Sequence, residues 1–100
     1  MTLYAFYCRD GENGAVLREK FLAQHLAHVE SAIDKIAVAG PLKQGDDTVG
    51  SLLVVKAENE ENARTILEAD PYFDAGVWQS ITVDKFLGVA GDWVGGATWK

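Results

Sequence analysis

The chain has 100 residues, 48% of them hydrophobic and 24% charged, which suits one small domain with a single core and is too apolar for a disordered segment. A net charge of −6 repels phosphate backbones and anionic lipid heads, and no run approaches the ~18 apolar residues that span a bilayer, so neither nucleic acid nor a membrane is an expected partner. Cys8 is the single cysteine, which excludes an internal disulfide and a cysteine-built zinc cage, and MTLYAFYCRDG lacks the marks of a signal peptide, so a cytoplasmic protein is expected.

Leu3 to Arg9 is short and rich in aromatics, and GENG at 11–14 punctuates it, which predicts a strand and a turn. From Ala15 to Ile36, Leu22, Leu26, Val29, Ile33 and Ile36 recur at helical spacing and predict one long amphipathic helix. AVAGPL at 37–42 and GSLLVVKA at 50–57 flank KQGDDTV, whose glycine and aspartates suit the turn of a hairpin. Asn59 can cap a second helix over Glu60–Ala69, with Glu60 and Glu61 in its first turn and Pro71 barring its continuation. VWQSITVDKF at 77–86 supplies a last strand. The remainder, 88–100, is a Gly-rich tail expected to be irregular, holding Trp93 and Trp99.

The order βαββαβ is the ferredoxin-like α+β plan, a four-stranded antiparallel sheet with two helices on one face. In LYAFYCR and SLLVVKA both alternating sets of residues are largely apolar, although two helices cover only one face. A second copy of the chain packed sheet against sheet is the expected cover, giving a homodimer. The tail then either wraps the partner or hangs free.

Three polar residues fall near the inside of this frame. With Leu22 as the zero of the core stripe, Arg18 lies at about −40° and His25 at about −60°, on one shoulder of the buried face, and His28 at about −120°, toward solvent or a rim. Asp70 continues the stripe of Ala63, Ile66 and Leu67, where an apolar residue would fit the pattern. A buried carboxylate needs a partner, the more so at a helix C-terminus with its negative potential, and Arg18 and His25 are the partners within reach. The competing expectation is that Asp70 ends its helix and turns outward with Pro71. His25 and His28 are three residues apart and lack the further ligands a metal needs.

His25-Leu26 in QHLAHV, Gly40-Pro41-Leu42 in AVAGPL, Gly50-Ser51 and Asp70-Pro71 with Gly76, in this order and spacing, resemble YciI-like proteins, the YCII-related domain family of the dimeric α/β-barrel group. The resemblance covers residues 2 to 87. It implies a ferredoxin-like dimer with a pocket between helices and sheet, in which His25 and Asp70 form a His–Asp dyad. Related barrels handle small ring compounds, including lactones and chlorinated aromatic breakdown products. Tyr72 departs from a commoner Phe, His28 from an aromatic or aliphatic residue, and the tail from Gly88 runs longer than the family leads one to expect.

On that basis an Asp70 carboxylate bound to one ring nitrogen of His25 fixes the tautomer and leaves the other nitrogen free to take a proton. Arg18 is expected to hold a substrate carboxylate or enolate by two parallel hydrogen bonds, and Gly40, Pro41, Ser51 and Tyr72 to shape the binding site. Such a set suits isomerisation or elimination on a small cyclic acid, with no metal and no cofactor. Cys8, on a central strand, is expected to pack as a small hydrophobe. The rival reading is a non-catalytic dimer that binds a small ligand or serves as an accessory protein.

Overall fold

The computed structural model describes all of residues 1–100. Four strands, β1 (Thr2–Asp10), β2 (Ile36–Gln44), β3 (Asp47–Ala57) and β4 (Trp78–Phe86), form one antiparallel sheet in the order β2-β3-β1-β4. β1 and β3 are central, as the ferredoxin-like plan requires. Period-2 alternation sends Tyr4, Phe6 and Cys8 of β1 and Leu53, Val55 and Ala57 of β3 to one face, where they are buried. Leu3, Ala5 and Tyr7, with Leu52 and Val54, take the opposite face, and no helix covers it. The β2–β3 turn is tighter than the sequence reading allowed. Gln44 pairs with Asp47, so the loop is only Gly45-Asp46, and Gly45 at φ +60° supplies the left-handed residue that a two-residue hairpin needs.

The helical layer differs from the expected pair of helices. The predicted helix over 15–36 is two pieces, α1 (Gly14–Lys20) and α2 (Leu22–Ser31), which meet at Phe21, whose ψ of 14° leaves the helical region. A short 3-10 turn at Ile33–Lys35 follows, and Ile36 already belongs to β2. The inward side of α2 is also not the Leu22 stripe. Phe21, His25, His28 and Val29 are half-buried and Ala32 is buried, whereas Leu22 is 47% exposed, Leu26 51% and Ile33 61%. Hydropathy misplaced this face because its polar members find partners inside: His28 Nε2 bonds to the Ile66 carbonyl at 3.0 Å, so that histidine is tethered rather than turned to solvent.

α3 (Glu60–Glu68) begins as predicted, with the Asn59 side chain accepting from the Asn62 N–H, and buries Ala63 and Leu67 against the sheet. The stretch after it is a further helix, α4 (Pro71–Ala75). Asp70 is its N-cap, Pro71 its first residue, and Gly76 at φ +79° ends it, which is the start and stop grammar of a helix compressed into seven residues. Beyond β4 the tail is ordered rather than irregular: β5 (Ala90–Gly91) and β6 (Gly96–Ala97) pair around a 3-10 turn at Asp92–Val94. No helix is long and apolar enough to cross a membrane.

Candidate active site

Asp70 faces inward and is 1% exposed. The helix-terminus argument behind its pairing is incomplete, because Asp70 follows the C-cap of α3 at Ala69 and its carboxylate also caps the start of α4. Its Oδ1 accepts the Tyr72 backbone N–H at 2.9 Å, and an N-terminal position favours negative charge. The rest of the carboxylate faces His25, with Nδ1 at 2.9 Å from Oδ1 and 2.8 Å from Oδ2. An ionised carboxylate only accepts, so Nδ1 carries a proton, and in the neutral imidazole this tautomer leaves the lone pair on Nε2. The Tyr72 ring lies flat against the imidazole, centroids 3.9 Å apart and planes 3° apart. Rotation of His25 is thereby blocked by a bond at one edge and a ring on one face.

Tyr72 itself does not reach the site. It is 1% exposed, its hydroxyl donates to the Arg18 carbonyl at 3.0 Å, and Trp78 meets its ring edge-on. Burial raises its phenol above the usual value, the Arg18 charge opposing that shift. The residue expected beside a substrate is the platform behind the histidine.

Arg18 is also placed differently from the expectation. Its Nε and Nη2 bond to Asp10 at 2.7 and 2.9 Å, so the two parallel bonds foreseen for a substrate carboxylate are made to a residue of the chain itself. Nη2 further donates to the Gly50 carbonyl at 3.0 Å and to Ser51 Oγ at 2.8 Å. Asp10 escaped the sequence reading, yet a signal was present. The inward set of β1 runs Tyr4, Phe6, Cys8 and then Asp10, an acid at the next inward position, eight residues before an arginine. Gly50 permits the arrangement: a Cβ there would lie 2.2 Å from the Cys8 carbonyl oxygen, so only glycine lets β3 pass β1 this closely beside the Arg18 clamp.

These groups surround a cavity of about 200 Å³. Arg18 comes from α1, His25, Leu26 and Val29 from α2, Ala39, Gly40 and Pro41 from the edge strand β2, and Ser51 and Leu53 from β3. Gly40, Pro41 and Ser51 are therefore where the sequence placed them, and Leu26 and Val29 are lining residues that it read as core. Ser51 Oγ accepts from Arg18, which leaves its own proton for the cavity, and Arg18 Nη1 makes no bond to the chain. Cys8 lies opposite Ser51 in the β1–β3 register, buried, with desolvation pushing its thiol up to about 12. That thiol is a core group rather than a nucleophile.

Three comparisons bear on this arrangement. The YCII-related domain matches residues 2–87. Protein YciI of Escherichia coli is 29% identical over 93 residues, covering 84% of this chain and 95% of that protein, and an uncharacterised protein of Haemophilus influenzae is 29% identical over 92 residues, covering 83% and 94%. Among solved structures, 5-chloro-2-hydroxyhydroquinone dehydrochlorinase from Burkholderia phenoliruptrix, in complex with 2,5-dihydroxybenzoquinone, superposes with a TM-score of 0.76 at 29% identity, covering 90% of this chain and 96% of that one.

Proposed function

The chain belongs to the YCII-related family, and on that premise we propose that it is an acid–base enzyme acting on a small hydroxylated ring, with His25 as the base. The observation that carries this reading is the dyad itself: an imidazole fixed at Nδ1 by a buried carboxylate, backed by a ring and set in the wall of a cavity. Nε2 takes a proton from the substrate. The electron pair left behind moves through the ring and takes that proton back at a ring carbon as a new C–H bond, which makes the carbon tetrahedral; an anion such as chloride is then expelled from it as a second hydroxyl proton is removed, or the new C–H bond is kept. The first path is elimination of HX and the second isomerisation. His25⁺, held against Asp70, is the donor of the returning proton.

The substrate is better pictured as a phenol, enol or quinone than as a carboxylate. Arg18 has already spent its fork on Asp10, and with a neutral His25 the charges of Asp10, Arg18 and Asp70 sum to −1, which disfavours a strongly anionic ligand. The Ser51 hydroxyl and Arg18 Nη1 remain as donors for one ring oxygen, in the manner of an oxyanion hole. A volume of about 200 Å³ accommodates one substituted six-membered ring, since cavities near 150 Å³ hold benzene. The related dehydrochlorinase, solved with a dihydroxybenzoquinone, supports both the ring and the elimination. Chloride release from 5-chloro-2-hydroxyhydroquinone and related chlorinated hydroquinones tests the reading. Wild type is expected to turn over at least one of them and His25→Ala about 10²-fold or more slowly; chloride release at the same rate in both contradicts it.

We further infer that a second copy covers the open face of the sheet. Tyr7 and Leu52 lie opposite each other at its centre and Phe86 at its edge, all substantially exposed. An apolar sheet face of this kind calls for a cover, and this chain supplies no helix for it.

A further inference from the structure

The hairpin β5–β6 makes its hydrogen bonds only within itself. Its backbone bonds run within it, Gly95 N–H to the Asp92 carbonyl, Thr98 N–H to the Val89 carbonyl and Lys100 N–H to the Ala97 carbonyl, and no hydrogen bond or ion pair ties it to the domain. A two-stranded hairpin is marginal alone in water and needs a surface to rest on. This one presents Trp93, 84% exposed, and Trp99, 68% exposed. In the domain it adjoins Phe86 of β4, which shares a hollow with Gly88 and Ala90–Val94, and a shallow depression that Trp93 lines with Val38–Leu42 and Leu52. Ala39, Gly40 and Pro41 line that depression and the His25 cavity alike. β2 is an edge strand, so the two hollows meet around its free edge with no strand between them.

The lip of the cavity on the far side of that edge is unpartnered as well. Leu22, Leu26 and Ile33 form an exposed apolar strip along α2 and the turn after it, and Leu26 lines the cavity. Two apolar surfaces of one chain therefore flank the same three residues of β2, neither with anything to bury it. A second copy on the open face would compete with the hairpin for that space, and the α2 lip is the apolar surface on the other side of the same edge strand.

We propose that Trp93 forms the outer wall of the His25 cavity: the hairpin swings from Leu87–Gly88 around the free edge of β2 and lays the indole over Gly40 and Pro41 against Leu26. Gly40 suits this crossing, because a Cβ there would meet nothing within 4 Å and the strand presents no side chain to obstruct the indole. The ligand this wall would select is a flat ring, which an indole covers by stacking; that choice of ligand rests on the reading of the site given above.

A disulfide decides the closure without reference to catalysis. Both residues are exposed, so Leu26→Cys/Trp93→Cys is expected to fold, and Cys8 is buried and unreactive. Mild oxidation is expected to consume both new thiols within one chain, because a disulfide forms only when the two Cβ atoms come within about 4.5 Å. Thiols that stay free, or a product of twice the chain mass, overturn the proposal. In a parallel titration with 2,5-dihydroxybenzoquinone, Trp93→Ala is expected to bind about tenfold more weakly than wild type. Equal affinity contradicts a ligand-facing wall, whereas an intrachain disulfide in a protein that ignores this quinone upholds the closure and rejects the ring ligand.

Discussion

At the scale of single residues, Asp70 does two jobs that substitution separates. It caps α4 through the Tyr72 N–H and fixes His25 through Nδ1. Asn can still cap, but its amide both donates and accepts and no longer imposes one tautomer. Asp70→Asn is therefore expected to cost under about 1 kcal/mol of stability while turnover falls about 10²-fold or more. Asp70→Ala loses both, with about 2 kcal/mol of stability, measurable by urea unfolding. Cys8 gives a prediction in pH. Its thiol is held at about 12 against an ordinary 9.0, so between those values the folded chain keeps a proton that the unfolded chain loses. Stability is thus expected to fall as pH rises through that window, Tyr72 adding in the same direction, and Cys8→Ala should flatten the fall. A urea midpoint that does not move between about pH 8 and pH 10.5 would contradict the burial.

At the scale of elements, the close passage of β3 over β1 positions the Arg18 clamp. Gly50→Ala drives a Cβ into the Cys8 carbonyl oxygen, backbone against backbone, and is expected to destabilise by about 3 kcal/mol or more and to loosen Arg18. Thermal unfolding checks the first effect and loss of turnover the second. The strands and α3 were legible because period-2 and period-3.6 burial dominates them. α2 was not, because its inward face carries His25 and His28, whose partners lie far along the chain, while its apolar strip borders the cavity. α4 was missed although ADPYFDAG spells a cap, a first-turn proline and a terminal glycine; five residues are too few for periodicity to register. The sequence singled out His25, Asp70, Gly40, Pro41 and Ser51, which the fold brings together at one place, whereas Asp10 and the place of Tyr72 depend on a fork-to-carboxylate geometry and a ring stack that no spacing rule encodes.

At the scale of the whole molecule, the chain leaves an apolar sheet face open and carries a hairpin with two exposed tryptophans. The second copy proposed for that face would account for the first. Sedimentation equilibrium is expected to give twice the chain mass for wild type and a single-chain mass for Leu52→Asp, because a charge at the centre of the face has no partner there. Wild type at the single-chain mass at micromolar concentration would remove the second copy and leave the His25 cavity standing, since α1, α2, β2 and β3 of a single chain already enclose it.

The claim on which the rest depends is that His25 holds its proton on Nδ1 and offers a bare Nε2 to the cavity. Nitrogen-15 spectroscopy of the imidazole reads this directly. Near neutral pH the Nδ1–H tautomer is expected, with the Nε2 resonance shifting when 2,5-dihydroxybenzoquinone is added and the tautomer preference lost in Asp70→Asn. A proton found on Nε2 in the free wild-type protein, with Nδ1 unprotonated, would contradict the account.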